Sequence, residues 1–104
     1  MLQFLKNILK PAPKVDLGEL IANGATIVDV RTAREYASGH IKGSVNIPLD
    51  ALSSQLKKIK KDKPVITCCA SGMRSSSARA ILKSNGFTDV HNAGSWFSLK
   101  KYER

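Results

Sequence analysis

Residues 65–80, VITCCASGMRSSSARA, change their period midway, and that change constrains how the rest of the chain can be arranged. Val65, Ile66 and Thr67 are β-branched and follow Pro64, which favours a strand. From Ser75 the sequence becomes alanine-rich behind leading serines, which favours a helix beginning there. Residues 69–74 must then form a loop bent around a helix N-terminus. Such a loop points several backbone N–H groups at one spot, and the helix dipole adds about half a positive charge there. An anion is favoured at that spot. Cys69, at its rim, is expected to have its thiolate stabilised by those donors and by Arg74, which lowers the thiol pKa and makes it a nucleophile at neutral pH. The competing reading is that Cys68 and Cys69 are small apolar residues finishing a buried strand. However, Gly72 lets the backbone turn inward and an arginine closes the loop, a combination that strand packing alone does not require.

The flanking sequence supplies a scaffold for this unit. Residues 1–14 hold three lysines and two prolines and read as a short helix or arm ending at Pro11, with Leu2, Leu5, Ile8 and Leu9 available to pack on a single domain of residues 15–104. Asp16 and Glu19 resemble a capping box, Leu17, Leu20 and Ile21 give a short apolar face, and Asn23-Gly24 stops that helix. Residues 25–30 form an apolar run suited to a parallel strand buried on both faces, with Asp29 near its end. Thr32 and Glu35 make a second capping box, opening a helix that Gly39 closes, and residues 44–47 read as a short strand ended by Pro48. Leu49, Leu52, Leu56 and Ile59 recur at helical spacing, which predicts an amphipathic α-helix over residues 49–60. After the strand 65–69 and the helix 75–85, which Gly86 terminates, a last strand is expected over residues 87–92. A closing helix follows from residue 95 to about 102, with Trp96 and Phe97 as core residues. This alternation implies an α/β fold, a small mainly parallel β-sheet with helices on both faces. Ligands of such sheets bind at the carboxyl ends of the strands, where Cys69 falls.

Charge and cysteine content narrow the function classes. The formal net charge of +9 steers anions of any size toward the protein. The lysines between Lys57 and Lys63 have no aromatic residues among them, so they read as a solvated helix end with a steering role and not as a nucleic-acid surface. No apolar run reaches the roughly 20 residues of a membrane span, and no signal peptide or membrane association is expected. Two adjacent cysteines do not form a bridging framework, which fits the cytoplasm. They also do not make a zinc pattern with the two histidines, and no dinucleotide or phosphate-loop fingerprint occurs, so neither metal nor cofactor is implied. Asp29 and Arg31 are expected to form a structural ion pair and His40 to satisfy backbone groups in a turn, while His91 is given no chemistry. Strand alternation sends Cys68 to the face opposite Cys69.

CASGMRSSSARAILKSNGF, with DVRTAREYASGHIKGSVNIP upstream, resembles the single-domain rhodaneses, the thiosulfate sulfurtransferase family. The loop C-x-x-G-x-R, the D-V-R strand end and the E-Y-x-x-G-H-I turn occur together in order, and the resemblance spans residues 15–96. It implies a rhodanese-like fold and a ping-pong sulfur transfer with Cys69 as nucleophile. On that resemblance the backbone of Ala70, Ser71, Gly72, Met73 and Arg74 would hold the resulting persulfide, and Arg74 would meet the departing oxyanion. The implied partners are a small anionic sulfur donor and a thiol or thioredoxin-like acceptor, with the chain a monomer or weak homodimer. The family often has Gly-Gly before its tryptophan, where this chain has Gly94-Ser95.

Two other classes remain open. Arg74 also closes a C-x5-R pattern counted from Cys68, the wider loop of a Cys-dependent phosphatase or arsenate reductase, although the glycine then falls one place late and no histidine precedes the cysteine. A rhodanese module acting as a sulfur carrier or docking domain is the second.

Overall fold

The structure is a computed structural model that describes residues 15–103, so the expected N-terminal arm lies outside the described residues. Four strands, β1 (Thr26–Asp29), β2 (Val45–Asn46), β3 (Val65–Cys69) and β4 (Val90–Ser95), form one sheet in the order β2-β1-β3-β4, and every pairing is parallel. The α-helices are α1 (Leu17–Ala22), α2 (Ala33–Ala37) and α3 (Met73–Ser84). All five residues of β3 are buried, as both faces of a central parallel strand must be.

Side-chain alternation divides the core between the two faces. Val28, Val65, Cys69 and Val90 meet Leu52 and Ile59 on one side together with Ala78 and Leu82 of α3. Ile27, Ile66 and Cys68 meet Leu99 on the other, with Leu17, Leu20 and Ile21 of α1 packed against them. Fully covered leucines such as Leu52 and Leu82 each contribute about 1.5–3 kcal/mol by burial. The expected α/β sheet with helices on both faces is the one found.

Local signals account for most boundaries. The Thr32/Glu35 capping box closes in both directions, and Asp16 caps α1 by accepting from the Glu19 amide at 3.1 Å. Three expectations need correction. Residues 49–60 form two short 3-10 helices, Leu49–Ser54 and Leu56–Lys58, and not one α-helix. Leu49/Leu52 and Leu56/Ile59 are each three apart, a spacing that a 3-10 turn satisfies as well as an α-turn does. Gln55, at φ −122°, lies outside helical geometry and divides the run into its two short turns.

The last strand begins at Val90 and not at Phe87, because residues 86–87 belong to the end of α3. The Phe87 amide reaches Leu82 O at 3.1 Å and the Gly86 amide reaches Lys83 O at 3.3 Å, with Gly86 at φ +90°. This is a Schellman closure that only a residue tolerant of positive φ completes cheaply. Phe87 is therefore buried as the closing plug and not as a strand residue. The chain's end is a 3-10 helix, Trp96–Tyr102, whose three-residue turn puts Trp96, Leu99 and Tyr102 on the sheet-facing side. Phe97 falls off that face and is 65% exposed, so it is not a core residue. Where Gly-Gly was noted as missing, Gly94 takes φ +79° beside a register shift against β3, and Ser95 caps the 3-10 helix through the Phe97 amide.

Candidate functional site

Cys69 is the last residue of β3 and α3 begins at Met73, two residues earlier than the serine pattern suggests. Ala70, Ser71 and Gly72 alone therefore make the turn, and Met73 and Arg74 belong to the first helical turn. Gly72 is the helix N-cap at φ +114°, and in this conformation its amide points back at the strand end and donates to Cys69 Sγ at 3.0 Å. Ser75 Oγ lies 3.4 Å from the same sulfur and donates to Gly72 O at 3.1 Å. Ser75 is wholly covered, and the Thr67 hydroxyl donates to its carbonyl at 2.9 Å, tying the helix start to the strand beneath it.

These contacts decide the ionisation of Cys69. Burial pushes the thiol up, since the residue is only 1% exposed, but the Ser75 hydroxyl and the amides of Ser75, Gly72 and Ser71 together outweigh it and hold the thiol below its ordinary range. The seat thus combines a helix N-terminus with a side-chain hydroxyl. Ser75 had no site role in the sequence reading. Placing the helix start at Gly72 would have found it, because the residue three after a helix N-cap overhangs the N-terminal opening.

Arg74, expected to support the thiolate, makes its hydrogen bonds elsewhere. Its guanidinium makes a two-pronged ion pair with Glu35 of α2, Nη1 to Oε1 at 2.7 Å and Nη2 to Oε2 at 3.0 Å. That pairing raises the arginine and holds the Glu35 carboxyl down at about 2, and attraction between Arg74 and Cys69 is a lesser contribution. In the sequence Glu35 has a cap role and a place in the E-Y-x-x-G-H-I turn, with no link to Arg74. Met73 points outward and is 82% exposed.

Cys68 sits in the opposite core cluster from Cys69, and burial in that apolar setting pushes its thiol up to about 12. Asp29 and Arg31 form the expected ion pair, 0% and 4% exposed, with Nη2 to Oδ2 at 2.7 Å. Arg31 also donates to Gly39 O at 2.7 Å and lies over the Trp96 ring, so it binds the end of β1 to the turn after α2 and to the closing 3-10 helix. His40 stacks on Tyr36 and its Nδ1 is 2.7 Å from Tyr36 O, the backbone role expected of it. His91 pairs with Asp89, on the far side of β4's first residue. Among the described residues no three His, Cys, Asp or Glu side chains gather closely enough to hold a metal ion. A cavity of about 620 Å³ lies on the other face of the sheet, between α1, Ile41 and Tyr102, and contains none of the loop residues.

Comparison with known proteins agrees with this geometry. Residues 14–101 match the model of the rhodanese-like domain. The chain is 41% identical to the uncharacterised protein YqhL of Bacillus subtilis over 68 residues, which is 65% of this chain and 54% of that one, so it spans about half of YqhL's length. It is 36% identical over 90 residues to the thiosulfate sulfurtransferase GlpE of Pseudomonas savastanoi pv. phaseolicola, covering 86% of this chain and 85% of GlpE. Among solved structures, the human single-domain sulfurtransferase TSTD1 superposes with a TM-score of 0.70 at 31% identity, covering 90% of this chain and 100% of that one. With a parallel sheet that delivers a cysteine into a helix-capped loop, and with GlpE and TSTD1 matched along most or all of their length, this chain belongs to the rhodanese-like domain family.

Proposed function

We propose that the protein is a sulfurtransferase that moves a sulfane sulfur from thiosulfate or a similar donor to a thiophilic acceptor through a persulfide on Cys69. The observation that carries the reading is the seat of Cys69 Sγ, with the Gly72 amide at 3.0 Å and Ser75 Oγ at 3.4 Å favouring the thiolate. The names of GlpE and TSTD1 lend it support. In the first step the thiolate attacks the outer sulfur of thiosulfate. A Cys69–sulfur bond forms, the sulfur–sulfur bond of the donor breaks, and its electron pair leaves with sulfite. The product Cys69–S–S⁻ carries its charge on the terminal sulfur, above the amides of residues 70–74, which lower its energy without moving. Sulfite leaves as a stable anion, so no general acid is required. In the second step a thiophile, such as a small thiol or a thioredoxin-like protein, attacks that terminal sulfur and returns the thiolate. Free, adjacent thiols suit a reducing compartment, and action in the cytoplasm is part of the proposal.

Burial of Cys68 on the opposite face, with its thiol held protonated, weighs against the wider phosphatase loop. A sulfur carrier would use the same seat and differ only in turnover. Intact-mass spectrometry after brief exposure to thiosulfate tests all three readings. The expected result is a species heavier by one sulfur, removed by cyanide or a reducing thiol and absent in Cys69→Ser. An unmodified mass under excess thiosulfate refutes the proposal. An adduct that small thiophiles fail to discharge over many cycles favours the carrier, and Cys68-dependent hydrolysis of an aryl phosphate favours the phosphatase.

A further inference from the structure

Arg74 carries the full positive charge closest in sequence to the Cys69 loop, yet its hydrogen bonds go to Glu35. The carboxylate cannot simply follow the guanidinium outward, because it is fixed from its own helix. Glu35 Oε1 accepts from the Thr32 amide at 3.0 Å and from the Thr32 hydroxyl at 3.1 Å. The arginine stands in the first turn of α3, two residues after the N-cap that seats the sulfur, and both of its terminal nitrogens are engaged by Glu35. The pair is therefore built from both sides and brings a net charge of zero to the rim of the loop. Among the described contacts of Cys69 Sγ, the groups that meet an anion directly are the backbone amides and the Ser75 hydroxyl, partial charges that act at short range.

Building on the sulfurtransferase reading, we propose that Glu35 is the positioning residue that sets donor preference. By holding Arg74 it withholds the guanidinium from incoming anions, and so it favours persulfide donors, R–S–S⁻, over thiosulfate.

The two donors differ in where their charge must sit. Thiosulfate presents its outer sulfur to Cys69 and leaves a sulfonate group above it, so a dianion has to settle beside the Glu35 carboxylate. A persulfide carries a single charge, on the sulfur being transferred, which the loop amides meet directly. The transfer balances: Cys69–S⁻ attacks the terminal sulfur of R–S–S⁻, a Cys69–sulfur bond forms, the R–S–sulfur bond breaks, and R–S⁻ leaves with the electron pair. No sulfite is produced and no further reagent is needed.

Glu35→Gln provides the test, because glutamine keeps an oxygen for the Thr32 donors and loses only the charge. Loading of Cys69 is followed by rapid quenching and intact-mass spectrometry, over a range of concentrations of thiosulfate or of 2-hydroxyethyl persulfide, whose only charge is on the transferred sulfur, at low and high ionic strength. Both members of the pair are about one-third exposed, so the effect is a screened one. Loading efficiency with thiosulfate should rise about fivefold in Glu35→Gln, through a lower half-saturating concentration and not a faster limiting rate. The gain should vanish near 1 M salt, and the persulfide should change by less than about twofold. Thr32→Ala removes only the hydroxyl and keeps both the backbone amide on Glu35 Oε1 and the Arg74 pair, so it should leave the ratio of the two donors unaltered. Equal changes for both donors, no gain with thiosulfate, or the same ratio shift in Thr32→Ala overturns the assignment of Glu35. Wild-type protein that takes sulfur from neither donor overturns the sulfurtransferase reading beneath it.

Discussion

Replacing Ser75 by alanine separates the two parts of the thiolate seat. The hydroxyl lies 3.4 Å from Cys69 Sγ and donates to Gly72 O in the resting arrangement, so it must turn toward the sulfur as the thiol ionises. A hydrogen bond to a charged group contributes about 1.5–3 kcal/mol and a neutral one about 1 kcal/mol, so the net support for the thiolate is about 1 kcal/mol or slightly more. Losing it makes Cys69 roughly five- to tenfold weaker as an acid. A less acidic thiolate is also a better nucleophile, which returns about two- to threefold in intrinsic rate. The two effects oppose each other and dominate at different pH. Sulfur loading by Ser75→Ala should fall about threefold near neutral pH, then overtake wild type by about twofold once both thiols are fully ionised. Gly72 O keeps the Ser76 amide at 3.0 Å, so no buried acceptor is orphaned and the variant should stay folded. Iodoacetamide alkylation and sulfur loading, each measured from pH 5 to 11, report the crossing. Profiles that superpose, or a Ser75→Ala curve lowered by one factor at every pH, refute the reasoning.

Cys68→Ser should keep sulfur transfer within about twofold of wild type, because the Cys68 side chain lies in the other core cluster, while placing a hydroxyl in an apolar site lowers the melting temperature. A thiol whose folded pKa is raised from 9.0 to about 12 stays protonated in the fold while the unfolded chain ionises, so its stabilisation is whole below pH 9 and is lost as pH rises toward 12. Denaturant melts between these limits should therefore show a shallower alkaline decline in Cys68→Ser than in wild type. Arg31→Met leaves the Asp29 carboxylate buried without its partner and removes the tie to Gly39, and should cost about 3–5 kcal/mol in a chemical melt. An unchanged midpoint would show the pair to be dispensable.

The parts of the fold that could be read in advance are those where one local signal has one structural meaning. β-Branched residues from Val65 onward read as a strand and are one, and Thr32 with Glu35 reads as a capping box and is one. The failures come where one pattern fits two structures. The spacing of Leu49, Leu52, Leu56 and Ile59 suits α- and 3-10 helices alike, so the spacing alone does not decide between them. Phe87 looks like a strand residue by type, but the glycine before it commits it to closing the helix. In the candidate site, Cys69 and Gly72 were legible because a β-branched strand, a thiol, a turn glycine, an arginine and a serine-led helix occur together in that order. Glu35 and Ser75 were not. Each already has a local explanation, as a cap residue or a helix starter, and its second contact is made across space, in Glu35's case with a residue 39 positions away.

Gly72 joins the backbone of the fold to the chemistry of the loop, and Gly72→Ala tests whether that join matters. A Cβ built there finds Gly94 Cα at 3.5 Å, an ordinary contact, so crowding is not the obstacle. The obstacle is φ +114°, which an alanine reaches only with about 1–2 kcal/mol of strain. The chain can accept that strain or relieve it by rotating the turn. Accepting it leaves the amide on Cys69 Sγ and lowers stability alone. Rotating it swings the N–H away from the sulfur and removes the direct backbone donor at 3.0 Å. Ala70 and Ser71 are exposed, so no packed side chain holds the turn against rotation. Gly72→Ala should therefore lose less than about 1 kcal/mol in a urea melt, yet alkylate and load sulfur about tenfold more slowly at neutral pH. A variant destabilised by the full strain but with wild-type thiol reactivity would show that the turn is rigid and that the seat of Cys69 survives without glycine.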